Sequence, residues 1–179
     1  MTRFQLIDPA SAEGKAKTLL DAVKSKMGLV PNMTRVMANA PAALDAYLQM
    51  SGALAGGALN AKVREQIALT VGETNLCGYC LSAHTLIGGK VGLPADEIAS
   101  ARRATSSDAK TAALLKFARA LVLQKGEVSD AAIAETRAAG AKDGDILEVV
   151  ANVALNIYTN YVNHVAKTAI DFPEVKPGA

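Results

Sequence analysis

Helix breakers and helix caps recur along this chain at helix-length intervals, and no segment between them shows the alternation of a strand. Glycine supplies the left-handed backbone that closes a helix, and proline opens a first turn but cannot continue one. Ser11 is expected to cap a helix ending near Met27, with Leu19, Leu20 and Val23 on one face and Gly28 as its stop. A short helix over about 32–39 should end at Pro41, followed by one from Ala42 to about Leu54 that carries Leu44, Tyr47 and Leu48. Gly56-Gly57 closes that segment, and Asn60 caps the next, which places Val63, Ile67 and Val71 on one face and Glu65 on another. Asn75 is the expected cap of a helix starting near Leu76 to Gly78 and running to about Val91. Further helices are expected over about 94–104, from a Ser107 cap to Lys125, from a Ser129 cap to Ala139, and from Asp143 past His164 to a stop at Asp171-Phe172-Pro173.

Composition agrees with helices. Half of the 179 residues are apolar, yet only 4% are aromatic and tryptophan is absent. Small aliphatic side chains suit close helix packing, whereas sheets draw on aromatic and β-branched residues. The length suits one domain with a sizeable core and would be cramped for two. The expected fold is an all-α, single-domain bundle of about eight or nine helices.

The net charge of +2 is small and its basic residues are interspersed with acidic ones, so no nucleic-acid footprint stands out and Arg102-Arg103 reads as a solvated pair. The opening MTRFQLIDPASAEGKAK carries charge and Pro9 where a secretory leader needs a continuous apolar run. The longest uncharged run, residues 149–166, holds four asparagines, two tyrosines and His164, all costly in hydrocarbon. It reads as a buried or interfacial helix; Asn152, Asn156, Asn160 and Asn163 recur on it at helical spacing, as a polar interface stripe or a row of buried hydrogen bonds would rather than a ligand site, and hint at oligomer contacts. Neither nucleic acid nor membrane is expected as a partner, and a cytoplasmic location is the default.

Chemistry concentrates in one stretch. The only cysteines form Cys77-Gly78-Tyr79-Cys80, with His84 four residues on and Glu65 twelve residues before Cys77. In a reducing compartment so short a loop makes a poor structural staple, so redox or metal chemistry is favoured. At a helix N-terminus, unpaired N–H groups and the helix dipole favour a thiolate over a thiol whose free pKa is about 8.5. Helical spacing puts Cys77, Cys80 and His84 along one stripe, where His84 can carry protons to or from sulfur.

Glu65, eleven intervening residues, then Cys77-x-x-Cys80-x-x-x-His84 resembles the core motif of the alkylhydroperoxidase D (AhpD)-like proteins of the carboxymuconolactone decarboxylase superfamily. The match spans about residues 60–92 within a single domain over 1–179, and the ending Asn160-Tyr161-Val162-Asn163-His164 through Asp171-Phe172-Pro173 is similar to the peroxidase-related branch. The resemblance implies that Cys80 attacks the peroxide and becomes a sulfenic acid, and that Cys77 resolves it as a disulfide. Glu65 and His84 would form the proton relay. It implies no cofactor beyond the redox-active cysteine pair, a hydroperoxide substrate, and an external dithiol reductant such as a lipoyl domain, a thioredoxin-like protein or a small thiol. A homo-oligomer, a trimer or hexamer, is also implied.

The sequence departs from better-known AhpD proteins where Tyr79 replaces a second histidine, because a tyrosine with a pKa of about 10 cannot buffer protons near neutrality. Tyr79 is left to hydrogen-bond or shape the pocket, and His164 to act as a core or interface residue unless its helix brings it to the site. Three other functions compete. A carboxymuconolactone decarboxylase-like lyase needs cationic groups for a substrate carboxylate, and no Arg or Lys cluster lies inside the motif. A zinc module would take Cys77, Cys80 and His84 with Glu65 or His164, although it offers one cysteine pair where structural sites draw on two. A structural helical protein would leave the cysteines as packed thiols.

Overall fold

The computed structural model describes residues 2–178, and its described residues form nine helices without strands. They are α1 (Gly14–Met27), α2 (Asn32–Met37), α3 (Pro41–Ala55), α4 (Ala61–Thr74), α5 (Gly78–Lys90), α6 (Ala95–Arg102), α7 (Ala109–Leu123), α8 (Asp130–Ala138) and α9 (Asp143–Ala166). No described helix is long and apolar enough to cross a membrane.

Helix α4 is the central strut, packing on α5, α6, α7 and α9. Its buried face, Ile67, Leu69 and Val71, joins Leu81 of α5, Leu114 and Leu115 of α7 and Val149 of α9 in the larger core. A second core gathers Leu20, Met33, Met37 and Leu44 from α1 to α3 around Cys77, Tyr79 and Cys80. Burying each such aliphatic side chain contributes about 1.5–3 kcal/mol. The cysteine motif thus sits where the first three helices close over the α4–α5 pair.

Several starts differ from expectation because a nearer group takes the cap. Asn60 and Ser129 do cap α4 and α8, accepting from the N–H groups of Val63 and Ala132. Ser11 instead belongs to a turn with Asp8, and α1 starts after Glu13 with no side-chain cap. Asp108, not Ser107, accepts the Thr111 N–H at the start of α7. Cys77, not Asn75, caps α5, while Asn75 closes α4 and donates to Asn160. Helix α9 ends at Ala166 with Lys167 in the left-handed conformation, before Asp171-Phe172-Pro173 is reached. Arg102 is not a solvated charge; its Nε lies 2.8 Å from Glu73 Oε2, and the pair is largely buried.

Two connections fix the site. The Glu148 carboxylate of α9 accepts the N–H groups of Ala58 and Leu59, and it fills the space where a side chain on Gly57 would stand, 2.6 Å from Oε2. A side chain at position 57 would push that carboxylate aside. The chain after α9 returns across α5: Val175 donates to Ser82 Oγ, and Gly78 faces Ile170, Val175 and Pro177.

Candidate functional site

Helices α4 and α5 form a tight hairpin, with Leu76 at φ +56° making the reversal and Cys77 N–H closing it on Gly72 O at 2.8 Å. The hairpin brings Glu65 opposite His84 and leaves Gly72 beside Cys80. Glu65 Oε2 and His84 Nδ1 are 2.7 Å apart, with side chains still 16% and 23% exposed, so the pair can exchange protons with a cavity.

Cys77 and Cys80 are joined as a disulfide, and Cys77 Sγ accepts the Cys80 N–H at 3.3 Å. The backbone N–H groups at the start of α5 therefore face sulfur, as an N-terminal thiolate site requires. The two sulfurs have different surroundings. Cys80 lines a cavity of about 390 Å³ bounded by α1, α2, α3, α4, α5, α9 and Phe172, and Cys77 contributes nothing to its wall. Glu65, His84 and Tyr79 line the same cavity. Its volume lies within the roughly 300–1,000 Å³ range of small-molecule sites.

Tyr79 is a structural member of the wall. Its hydroxyl accepts the Met33 N–H at 3.0 Å, and its ring meets Phe172 edge to face at 5.6 Å. Burial first, then the Asp171 carboxylate, hold this phenol well above the usual tyrosine range, so it stays protonated. Tyr47, on the opposite wall, is also raised, by burial and then by the charge of Glu65. His164 lies outside: it is exposed, with Nε2 3.0 Å from Asn75 O, and does not line the cavity. Among the described residues no cluster of three or more His, Cys, Asp or Glu side chains is arranged to hold a metal ion.

The asparagine stripe of α9 points inward rather than toward a partner surface. All four asparagines are buried, and Asn152, Asn156 and Asn163 line the cavity with Thr159. Asn163 Nδ2 reaches Cys80 Sγ at 3.4 Å and Met33 Sδ at 3.3 Å, while its Oδ1 has no hydrogen-bond partner. Asn163 therefore offers a donor to the very sulfur that faces the cavity. The sequence signal for it was the asparagine spacing, which says that one helix face is polar but not which way it points. Lys26 of α1 and Arg64 of α4 also line the cavity. Cations absent from the motif are thus supplied by the fold.

Comparison with known proteins agrees with this fold. Residues 41–124 match the carboxymuconolactone decarboxylase family. A crystal structure described as an alkylhydroperoxidase AhpD core, an uncharacterized peroxidase-related protein from Ralstonia eutropha JMP134, superposes with a TM-score of 0.82 at 25% identity, covering 95% of this chain and 92% of that one. A peroxidase-related protein from Silicibacter sp. TM1040 gives 0.82 at 24% identity over 94% and 91%. The debrominase Bmp8 in complex with 2,3,4-tribromopyrrole shares the fold, with a TM-score of 0.78 at 17% identity over 96% and 94%. A search of curated sequences finds no match. The fold is all-α and like that of the AhpD core. The family match and the likeness in fold together support an AhpD-like protein of the carboxymuconolactone decarboxylase superfamily.

Proposed function

We propose that this chain is a dithiol peroxidase that reduces organic hydroperoxides at Cys80. The observation that carries this reading is the asymmetry of the pair: Cys80 opens on the cavity shared with the Glu65–His84 pair, and Cys77 does not. In the reduced protein, the Cys80 thiolate attacks the terminal peroxide oxygen. An S–O bond forms, the O–O bond breaks, and the alcohol leaves with a proton supplied through His84. Cys77 then attacks the Cys80 sulfenic acid, releasing water and closing the disulfide. An external dithiol reduces that disulfide through a mixed disulfide on Cys80, the sulfur reachable from the cavity. The sum is one hydroperoxide and one dithiol converted to alcohol, water and an external disulfide.

Glu65 orients the imidazole, while Asn163 donates to the sulfur that gains charge. The test is a stoichiometric organic hydroperoxide added to reduced protein, followed by intact mass and free-thiol count. Rapid loss of both thiols to an intramolecular disulfide, abolished in Cys80→Ser, is the expected result. Folded, metal-free protein whose thiols survive would overturn it and return the lyase to the front, where assay of lactone loss in a double Cys→Ser variant decides.

A further inference from the structure

The peroxide chemistry makes no use of two cations in the cavity wall. Lys26, exposed on the last turn of α1, marks the mouth, and Arg64 stands one residue before Glu65 on α4. Neither forms an ion pair among the described residues, and Arg64 donates Nη1 to Leu59 O, leaving other guanidinium donors. The single acidic side chain on the wall, Glu65, is engaged by His84. The wall therefore carries an uncompensated positive charge. Around it the lining is largely apolar, with Met27, Leu48, Leu54, Leu155 and Phe172.

We infer that the cavity selects amphipathic substrates, an apolar body with one carboxylate, the carboxylate held by Lys26 and Arg64 while the reacting group reaches Cys80. This rests on the proposed peroxidase activity only for the reacting group, which is then a hydroperoxide set apart from the carboxylate. A neutral hydroperoxide fills the apolar wall but leaves both cations unmatched. A small, highly polar peroxide leaves the apolar wall unfilled. In turnover the carboxylate is unchanged, and the hydroperoxide is reduced to the alcohol as above.

Two measurements separate the parts. Binding is read by calorimetry on the oxidised protein, with the hydroxy acid derived from linoleic acid hydroperoxide and with its methyl ester, below their aggregation limits. The acid should bind about tenfold more tightly than the ester, the preference of two cations in a partly dry wall. High salt should shrink that ratio, and a combined Lys26→Gln, Arg64→Gln variant, checked for wild-type melting, should bring it toward one. The two hydroperoxides should oxidise reduced protein at rates in the same ratio. Equal binding of acid and ester, or a preference that survives the double substitution, overturns the inference. Acid-selective binding to protein whose thiols ignore all hydroperoxides would sustain the anion site and remove the peroxidase reading.

Discussion

Glu65 Oε2 and His84 Nδ1 lie 2.7 Å apart across the α4–α5 hairpin, although nineteen residues separate them in the chain. A carboxylate on one imidazole nitrogen fixes the ring and its orientation, leaving the other nitrogen for the reacting groups. His84→Ala should slow hydroperoxide-driven thiol loss by about 100-fold or more, the range of general acid–base catalysis. Glu65→Gln should lose less, about tenfold, and the double variant should be no slower than His84→Ala, since the residues act as one unit. Stopped-flow thiol oxidation decides it, and multiplicative losses in the double variant would show two independent roles.

The helices were largely legible because their starts and stops are local chemistry: Gly28 closes α1, and Pro41, Asn60 and Ser129 open α3, α4 and α8, each within its own turn. Glu65, Cys80 and His84 were legible as a spacing. What the sequence hid is orientation across the bundle. The four asparagines of α9 read equally as an interface stripe or as buried hydrogen bonds, and they turn inward because Val149 and Val153 share their side of the helix and are drawn into the core. Lys26 was hidden for the same reason, since it lies 54 positions from Cys80 in sequence and only packing of α1 on the site brings it near. Arg102 looked solvated because its partner, Glu73, is on another helix.

Asn163 should tune the Cys80 thiol. Its buried amide donor lies 3.4 Å from Cys80 Sγ and 3.3 Å from Met33 Sδ. A hydrogen bond stabilises the thiolate more than the thiol, so removing it raises the pKa. Asn163→Ala should move the pH midpoint of Cys80 alkylation in reduced protein upward by about one unit, equivalent to about 1.4 kcal/mol. Asn163→Asp should move it further, because a buried carboxylate opposes the thiolate. An unchanged alkylation profile in both variants would leave Asn163 a packing residue.

Self-association is expected through the outer face of α9. Leu147, Val150, Tyr161 and Val165 are exposed, and at about 100° per residue they fall on one narrow stripe opposite the buried asparagines. A continuous apolar stripe on a helix whose other face is buried suits a second copy of the same helix. Light scattering should give a multiple of the 18.5 kDa protomer, and a Tyr161→Lys, Val165→Glu variant should reduce it. A wild-type protomer that stays monomeric at high concentration would discard the proposed oligomer.

Acid should weaken the α6–α7 junction through Glu97. Its carboxylate accepts from Ser107 N and Ser106 Oγ at 2.8 Å and from Gln66 Nε2 at 2.9 Å, and the Ser107 bond first among these holds it below the ordinary value of 4.5. A folded pKa below the unfolded one contributes stability that is present above the unfolded value and lost as pH falls through the folded value. Glu97→Gln should cost about 1–2 kcal/mol at neutral pH, from weakened charge-assisted bonds. That difference should shrink in urea titrations as pH drops below 4.5. A difference constant down to strong acid would assign the loss to packing.

Tyr79 occupies the position where a histidine would add a second proton carrier, and its surroundings argue for a different task. Its phenol is raised by burial and by Asp171, so at neutral pH it neither gains nor releases a proton, while its oxygen satisfies the buried Met33 N–H. Tyr79→Phe should therefore lower stability by about 1–3 kcal/mol, the cost of an unpaired buried donor. The midpoint of the pH–rate profile for thiol oxidation should stay in place, because the titrating groups remain. Tyr79→His restores the hydrogen-bonding capacity only in part but adds a group that titrates near neutrality. Its profile should gain a second inflection, and the absence of one would mean that position 79 is closed to proton traffic whatever residue stands there.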